Sequence, residues 1–141
     1  MFKRLLLLKF FPAKTDCGLL TLRLASATPL LLRHGVEKLT TFSQMAGHFP
    51  NPLHIGAVPS LLFATLSDGI CTVLLMLGLA TRWAALIIFV NIFVAWSLVH
   101  HFVLFGPGGD HGELIVLYLG TMAALFLAGP GKYSMDGWLE K

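Results

Sequence analysis

Charge is what this chain has least of. Asp, Glu, Lys and Arg make up 12% of its 141 residues, against 56% hydrophobic residues, whereas a soluble domain carries about 25% charged and about 45–50% apolar. With a mean hydropathy of +0.79, too little polar surface exists to cover a water-soluble core. That excludes an ordinary soluble enzyme and makes the bilayer the expected solvent. Cysteine is equally sparse: Cys17 and Cys71 stand far apart and form no CxxC, which excludes a disulfide framework and a zinc cluster. Basic residues exceed acidic ones by only ten to seven, with no basic stripe, so nucleic acid is not an expected partner. The sequence also has no strong internal repeat, no low-complexity tract, no separate soluble domain, no HExxH, no phosphate-binding glycine loop and no nucleophile constellation. Nucleophilic catalysis and nucleotide binding find no support, and whether the chain is an enzyme at all stays open.

What is present is apolar sequence in four stretches. Spanning about 30 Å of hydrocarbon takes roughly 20 helical residues. The spacing predicts spans over about 17–34, 59–80, 83–105 and 113–129. The second holds Asp68 near its middle. The third has no Asp, Glu, Lys or Arg, and closes on His100 and His101. The first is short and interrupted by Arg23 and Pro29. The fourth is stopped by Gly129, Pro130 and Gly131. The expected fold is therefore all-α: an integral membrane four-helix bundle over residues 16–138, preceded by an interfacial segment over 1–15. That segment, MFKRLLLLKFFPAK, breaks its leucine run at Lys9 and lacks a clean small-residue cleavage site, so it reads as retained and lying at the headgroups rather than as a signal peptide.

Orientation follows from the basic residues. With an inner N-terminus, Lys3, Arg4, Lys9, Lys14, Arg82, Lys132 and Lys141 lie inside, and Arg33 and Lys38 outside; both termini are expected to be cytoplasmic. All six histidines then fall in or beside the outer connections, a long one over 33–58 with scattered apolar residues and a short GPGGDHG turn over 106–112. Trp83, Tyr133 and Trp138 fall near the inner boundary as interfacial anchors.

Two constellations carry possible chemistry. Arg23 and Asp68 are ionisable groups inside spans, which cost at least about 2.5–3.5 kcal/mol each and so normally face the protein interior and find a partner. Their expected depths differ by about 7 Å at 1.5 Å per residue, within reach of an arginine. Pairing is expected, as a structural ion pair or as a substrate- or proton-linked site. Thr65, Asp68 and Thr72 share one helical stripe, a polar interior seam, and Asn91 suits an interhelical hydrogen bond. The second constellation gathers His34, Glu37, Lys38, His100, His101 and Glu113 at the outer mouth. Arg23 and His34 are eleven residues apart, about 20° from eclipsed on a helix. Glu113 and Leu117 continue the small-residue stripe Gly120, Ala124 and Ala128, which is expected to face a neighbouring helix. Imidazoles and carboxylates beside an apolar interior suit hydrogen bonding to a quinone with coupled proton transfer. They also suit plain interfacial solvation and, with His34, His100 and His101 as weak ligand candidates, a metal or haem. Asp68 and Cys71 lie one turn apart, but a buried thiol is usually inert.

The residues GLLTLRLA, HGVEKL, FPNPLHIG, LLMLGLATRWAAL, HGELIVLYL and GPGKYSMDGWL, in that order and spacing, resemble the DoxX family of small four-helix bacterial inner-membrane proteins. Where that family carries a glutamate, this chain has Asp68. The resemblance implies a multi-pass inner-membrane protein of a redox or respiratory system, a quinone-linked or oxidoreductase-complex membrane subunit, with Arg23, His34, Lys38, Asp68 and Glu113 as the matching positions. The alternatives are a noncatalytic scaffold that recruits a soluble redox partner and, behind it, a carrier of small solutes or metal ions.

Overall fold

The computed structural model describes residues 14–105 and 112–140. The expected interfacial segment therefore lies, except for Lys14 and Thr15, outside the described residues, as does the 106–112 turn with His111, except for Gly112. The described residues are helical, with no strand among them.

Helix α1 covers 15–40. It is α-helical over Thr15–Leu30, makes a π turn over Leu31–Gly35, and returns to α geometry over Val36–Thr40. A short α2, Phe42–Met45, follows. The loop after it is closed by Asn51, whose Oδ1 accepts from the Gly56 N–H at 3.0 Å. Helix α3, Ala57–Leu77, accommodates Pro59 in its first turn, where no N–H partner is needed; it contains a second π turn over Leu66–Cys71. It ends at Gly78, whose φ of +69° is the left-handed cap that glycine adopts without strain. Helix α4, Thr81–Val99, carries a third π turn over Ala95–Val99. Helix α5 covers Gly112–Ala128 and α6 covers Met135–Leu139. Helices α3 and α4 are long and apolar enough to cross a membrane; α5 is apolar over 17 residues. The helix stop expected at Gly129–Pro130 is where α5 ends.

Helix α5 packs along α4, and α1 along the second half of α3. Between them lies a core of Ala27 and Leu30 from α1, Cys71 and Leu75 from α3, Ala84, Ala85 and Ile88 from α4, and Met122 and Leu125 from α5. The three alanines let neighbouring backbones approach, and the leucines, Ile88 and Met122 occupy the space they leave.

Three sequence expectations change. The span placed over 83–105 stops at Val99, because the chain hooks back: Phe102 N–H donates to Trp96 O, Trp96 Nε1 donates to Val103 O, and the Phe102 ring stacks edge-on against Phe93 and Trp96. The 33–58 connection is not loop from its start, since α1 continues through it to Thr40. The stripe Glu113, Leu117, Gly120, Ala124 and Ala128 lies on the uncovered side of α5, and the covered side is Leu119, Met122 and Leu125. The small residues that admit a neighbour are Ala84 and Ala85 on α4, and the larger side chains of α5 fill the space against them.

Candidate functional site

The interior polar seam is real: Thr65, Asp68 and Thr72 are all buried on α3. Asp68 does not reach Arg23, however. Its Oδ2 pairs with Lys38 Nζ at 2.8 Å, and its Oδ1 accepts from Asn91 Nδ2 at 3.0 Å and from Ser67 Oγ at 3.1 Å. Lys38 is 9% exposed and Asp68 5%. The carboxylate is thus held by α1, α3 and α4 at once. Asn91 makes the interhelical bond expected of it.

Local backbone geometry explains why Lys38 arrives there. The π turns Leu31–Gly35 and Leu66–Cys71 pack against each other, and Gly35 lies so close to α3 that a Cβ on it would collide with the Asp68 carbonyl oxygen. A π turn inserts one residue and so rotates everything beyond it by about 100° relative to a straight α-helix. Arg23, before the turn, is wholly buried, whereas His34, expected on the same face, is exposed and Lys38 points inward. Glu37 is also exposed.

Arg23 belongs to a second cluster, beside the α3–α4 turn. Its Nη1 reaches the carbonyls of Leu75 and Met76, each at 3.4 Å, and its Nη2 donates to Tyr133 O. The expected Arg23–Asp68 pair is therefore replaced: the arginine caps the carbonyl end of α3, and lysine takes the aspartate. The C-terminal segment completes this cluster. Asp136 accepts from the N–H groups of Ala80 and Thr81 at 2.7 and 2.8 Å and donates its own N–H to Gly78 O at 2.9 Å. Asp16 Oδ1 accepts from Lys132 N–H at 3.0 Å. Burial would raise the Asp136 carboxyl, but the N–H bonds from Thr81 and Ala80 and the charge of Arg23 outweigh it and hold it below the usual carboxylate range. Its folded value lies below the unfolded one, so its contribution is complete above about pH 4 and is lost as pH falls through the depressed value. Thermal unfolding in detergent should show acid loss in that window, and Asp136→Asn should lower the melting temperature at pH 7 while flattening the acid limb.

Glu113, rather than facing the interior, lies in an open groove with Leu104, Leu114, Val116 and Leu117. His100 and His101 are exposed on the hook, the latter in left-handed conformation. Among the described residues no group of three or more His, Cys, Asp or Glu side chains is placed to hold a metal ion, so His34, His100 and His101 do not converge. Of the candidate residues, the structure joins Lys38 to Asp68, with His34 and Glu37 on the turn before Lys38; Arg23, His100 and Glu113 lie apart from that pair. Sequence reasoning missed Gly35, Ser67 and Asp136. The Ser134–Asp136 stretch, with Ser134 capping α6 by accepting from Gly137 N–H at 3.0 Å, was the available signal for the last.

The DoxX family model matches residues 18–101, more than half of the chain. The chain is also similar to an uncharacterized protein of Haemophilus influenzae, 29% identical over 103 residues, which cover 71% of this chain and 67% of that protein. No solved structure matches. The match takes in Arg23, Gly35, Lys38, Asp68 and Asn91 together, the residues that build both clusters except for their C-terminal part, and the chain belongs to the DoxX family.

Proposed function

We propose that the chain is a multi-pass protein of the bacterial inner membrane, a membrane subunit of a redox-linked system that receives a quinone from the lipid. In this reading α1, α3, α4 and α5 cross as a four-helix bundle over residues 16–138, with both termini in the cytoplasm. Support for the orientation is the collection of Lys14, Arg82 and Lys132, with exposed Trp83, Tyr133 and Trp138, at the α3–α4 turn end.

The observation that carries the reading is the groove at Glu113. It is about 440 Å³ and lined by four aliphatic side chains and one carboxylate, Leu104 from the hook after α4 and the others from the uncovered side of α5, open to lipid. The groove is open along one side, and its apolar walls beside a single polar group are the combination, with lateral access, that a quinone ring needs. Leu104, Leu114, Val116 and Leu117 would hold the ring, and Glu113 would hold or accept a proton at its oxygen. When bound, the quinone supplies two-electron, two-proton redox chemistry.

A short-chain quinone should quench the tryptophan fluorescence of the purified protein in a saturable manner, and Glu113→Gln should weaken binding of its reduced quinol form about tenfold, through loss of the charge-assisted hydrogen bond that the quinol O–H donates to the carboxylate. No saturable quenching, or affinity unchanged by Glu113→Gln, overturns the quinone assignment. One observation favours a second reading, a noncatalytic scaffold: the buried charges on α1 and α3 at the π turns are spoken for, Lys38 by Asp68 and Asp68 by Asn91 and Ser67. A soluble redox partner retained in pull-downs from Glu113→Gln membranes as from wild type selects the scaffold.

A further inference from the structure

The α3–α4 turn end is built around an anion. The first free N–H groups of α4, those of Ala80 and Thr81, converge on the Asp136 carboxylate, and the positive end of a helix dipole reinforces them. Arg23, wholly buried, lies against the same turn: an added Cβ on Gly78 would strike its Nη1. The guanidinium bonds neutral carbonyls, those of Leu75, Met76 and Tyr133, and among the described residues it has no carboxylate within ion-pair distance. Arg23 Nε is buried with no hydrogen-bond partner, and the buried Thr81 Oγ1, which completes no regular hydrogen bond, lies close enough to Asp136 to help hold its carboxylate ionised. The helix N-terminus, the arginine and the threonine hydroxyl come from α1 and α4. Asp136 comes from elsewhere: from α6, a five-residue helix with Trp138 and Leu139 exposed.

We propose that the N-terminus of α4, with Thr81 and Arg23, is an oxyanion-binding site that the chain fills with its own Asp136, and that it takes an external carboxylate or phosphate when the C-terminal segment lifts away. The exchange replaces one anion by another at the α4 N-terminus, so Arg23, which forms no ion pair among the described residues, keeps a negative charge near it throughout. A cation this deeply buried would otherwise strongly resist any movement of the segment that shields it. The C-terminal segment is thereby an internal competitor for the site. Both a free anion and a lipid headgroup phosphate have the required chemistry, and this inference is independent of the groove at Glu113.

Asp136→Ala, which empties the site without enlarging any side chain, tests it. In detergent at fixed ionic strength, acetate or inorganic phosphate should raise its melting temperature saturably by about 3 °C, the size expected for about 1 kcal/mol in a chain of this length, while chloride does not and wild type does not respond. If the variant is recovered only when acetate is present during extraction, the same rescue is read as yield. Asp136→Asn keeps the site filled by a side chain of equal size and should not respond, and Arg23→Met in the Asp136→Ala background should abolish the response. Nanodiscs containing phosphatidic acid, compared with phosphatidylcholine alone, separate the sources: rescue only there identifies a lipid phosphate, and rescue by the salts in detergent identifies a free anion. The proposal is overturned if acetate, phosphate and phosphatidic acid all fail to stabilise Asp136→Ala, if they stabilise wild type equally, or if the response survives loss of Arg23.

Discussion

Lys38→Met and Asp68→Leu, made singly, should each remove about 3–5 kcal/mol of stability, because each leaves the opposite charge buried without its partner. The double variant should recover much of that loss. The pair is desolvated on both sides, Lys38 and Asp68 being buried and 2.8 Å apart, so stripping one member leaves no water to take its place, whereas an apolar pair of similar volume removes both costs together. Thermal unfolding in detergent, with folded yield from membranes as a second readout, measures it. Asp68→Leu should be the worse single change, since it also strands Asn91 Nδ2 and Ser67 Oγ. Small and equal effects from all three variants would show that the lysine and the aspartate act independently. Arg23→Met in the Asp68→Leu background should show no such recovery, because Arg23 bonds carbonyls elsewhere.

The second large effect requires no charge at all. Gly35→Ala should cost about 3 kcal/mol, the upper end of what one methyl group costs in a filled interior, because the obstacle is the Asp68 carbonyl oxygen, which is backbone and cannot turn aside. The two π turns would have to separate, carrying Lys38 away from Asp68. Gly69→Ala, next to Asp68 in the α3 π turn, meets the Leu39 side chain at 3.3 Å, the far end of a flexible group, and should fall within about 1 kcal/mol of wild type. Gly18→Ala meets nothing within 4 Å and should stabilise by about 0.5–1 kcal/mol through the lower chain entropy of alanine in a helix. That ranking, read by thermal unfolding, separates steric contact from helix propensity. Equal shifts for all three would remove the close approach of α1 and α3 as a feature of the fold.

Much of the helix layout was legible because apolar runs and their punctuation act locally. The ends of α3 and α5, the Thr65–Asp68–Thr72 seam and the role of Asn91 all follow from residue type and the α-helical period. The partner exchange was not legible. Pairing Arg23 with Asp68 rested on their depths alone, and placing His34 on the face of Arg23 assumed a single α-helical phase along α1; a π turn, which has no strong residue signature, reset that phase between Arg23 and Lys38. With the phase shifted, Lys38 rather than His34 faces Asp68. The outward stripe on α5 was misread for a related reason: a run of small residues shows where a helix can be approached, and α4 supplies its own at Ala84 and Ala85. Asp136 was missed because its partners, Ala80 and Thr81, lie 55 or more positions earlier and contribute only backbone N–H groups, which no side-chain pattern reveals.

Contacts between residues more than a hundred positions apart also set the order in which the fold can close. One of the three carbonyl partners of Arg23 is Tyr133, 110 positions later, and Asp16 meets Lys132 across 116 positions. A nascent chain that has made α1, α3, α4 and α5 still presents an incompletely satisfied guanidinium and an open α4 N-terminus until Tyr133 and Asp136 emerge. Closure of this end therefore waits for residues 132–136, and a chain cut before them leaves Arg23, Asp16 and the α4 N-terminus without the partners they have here.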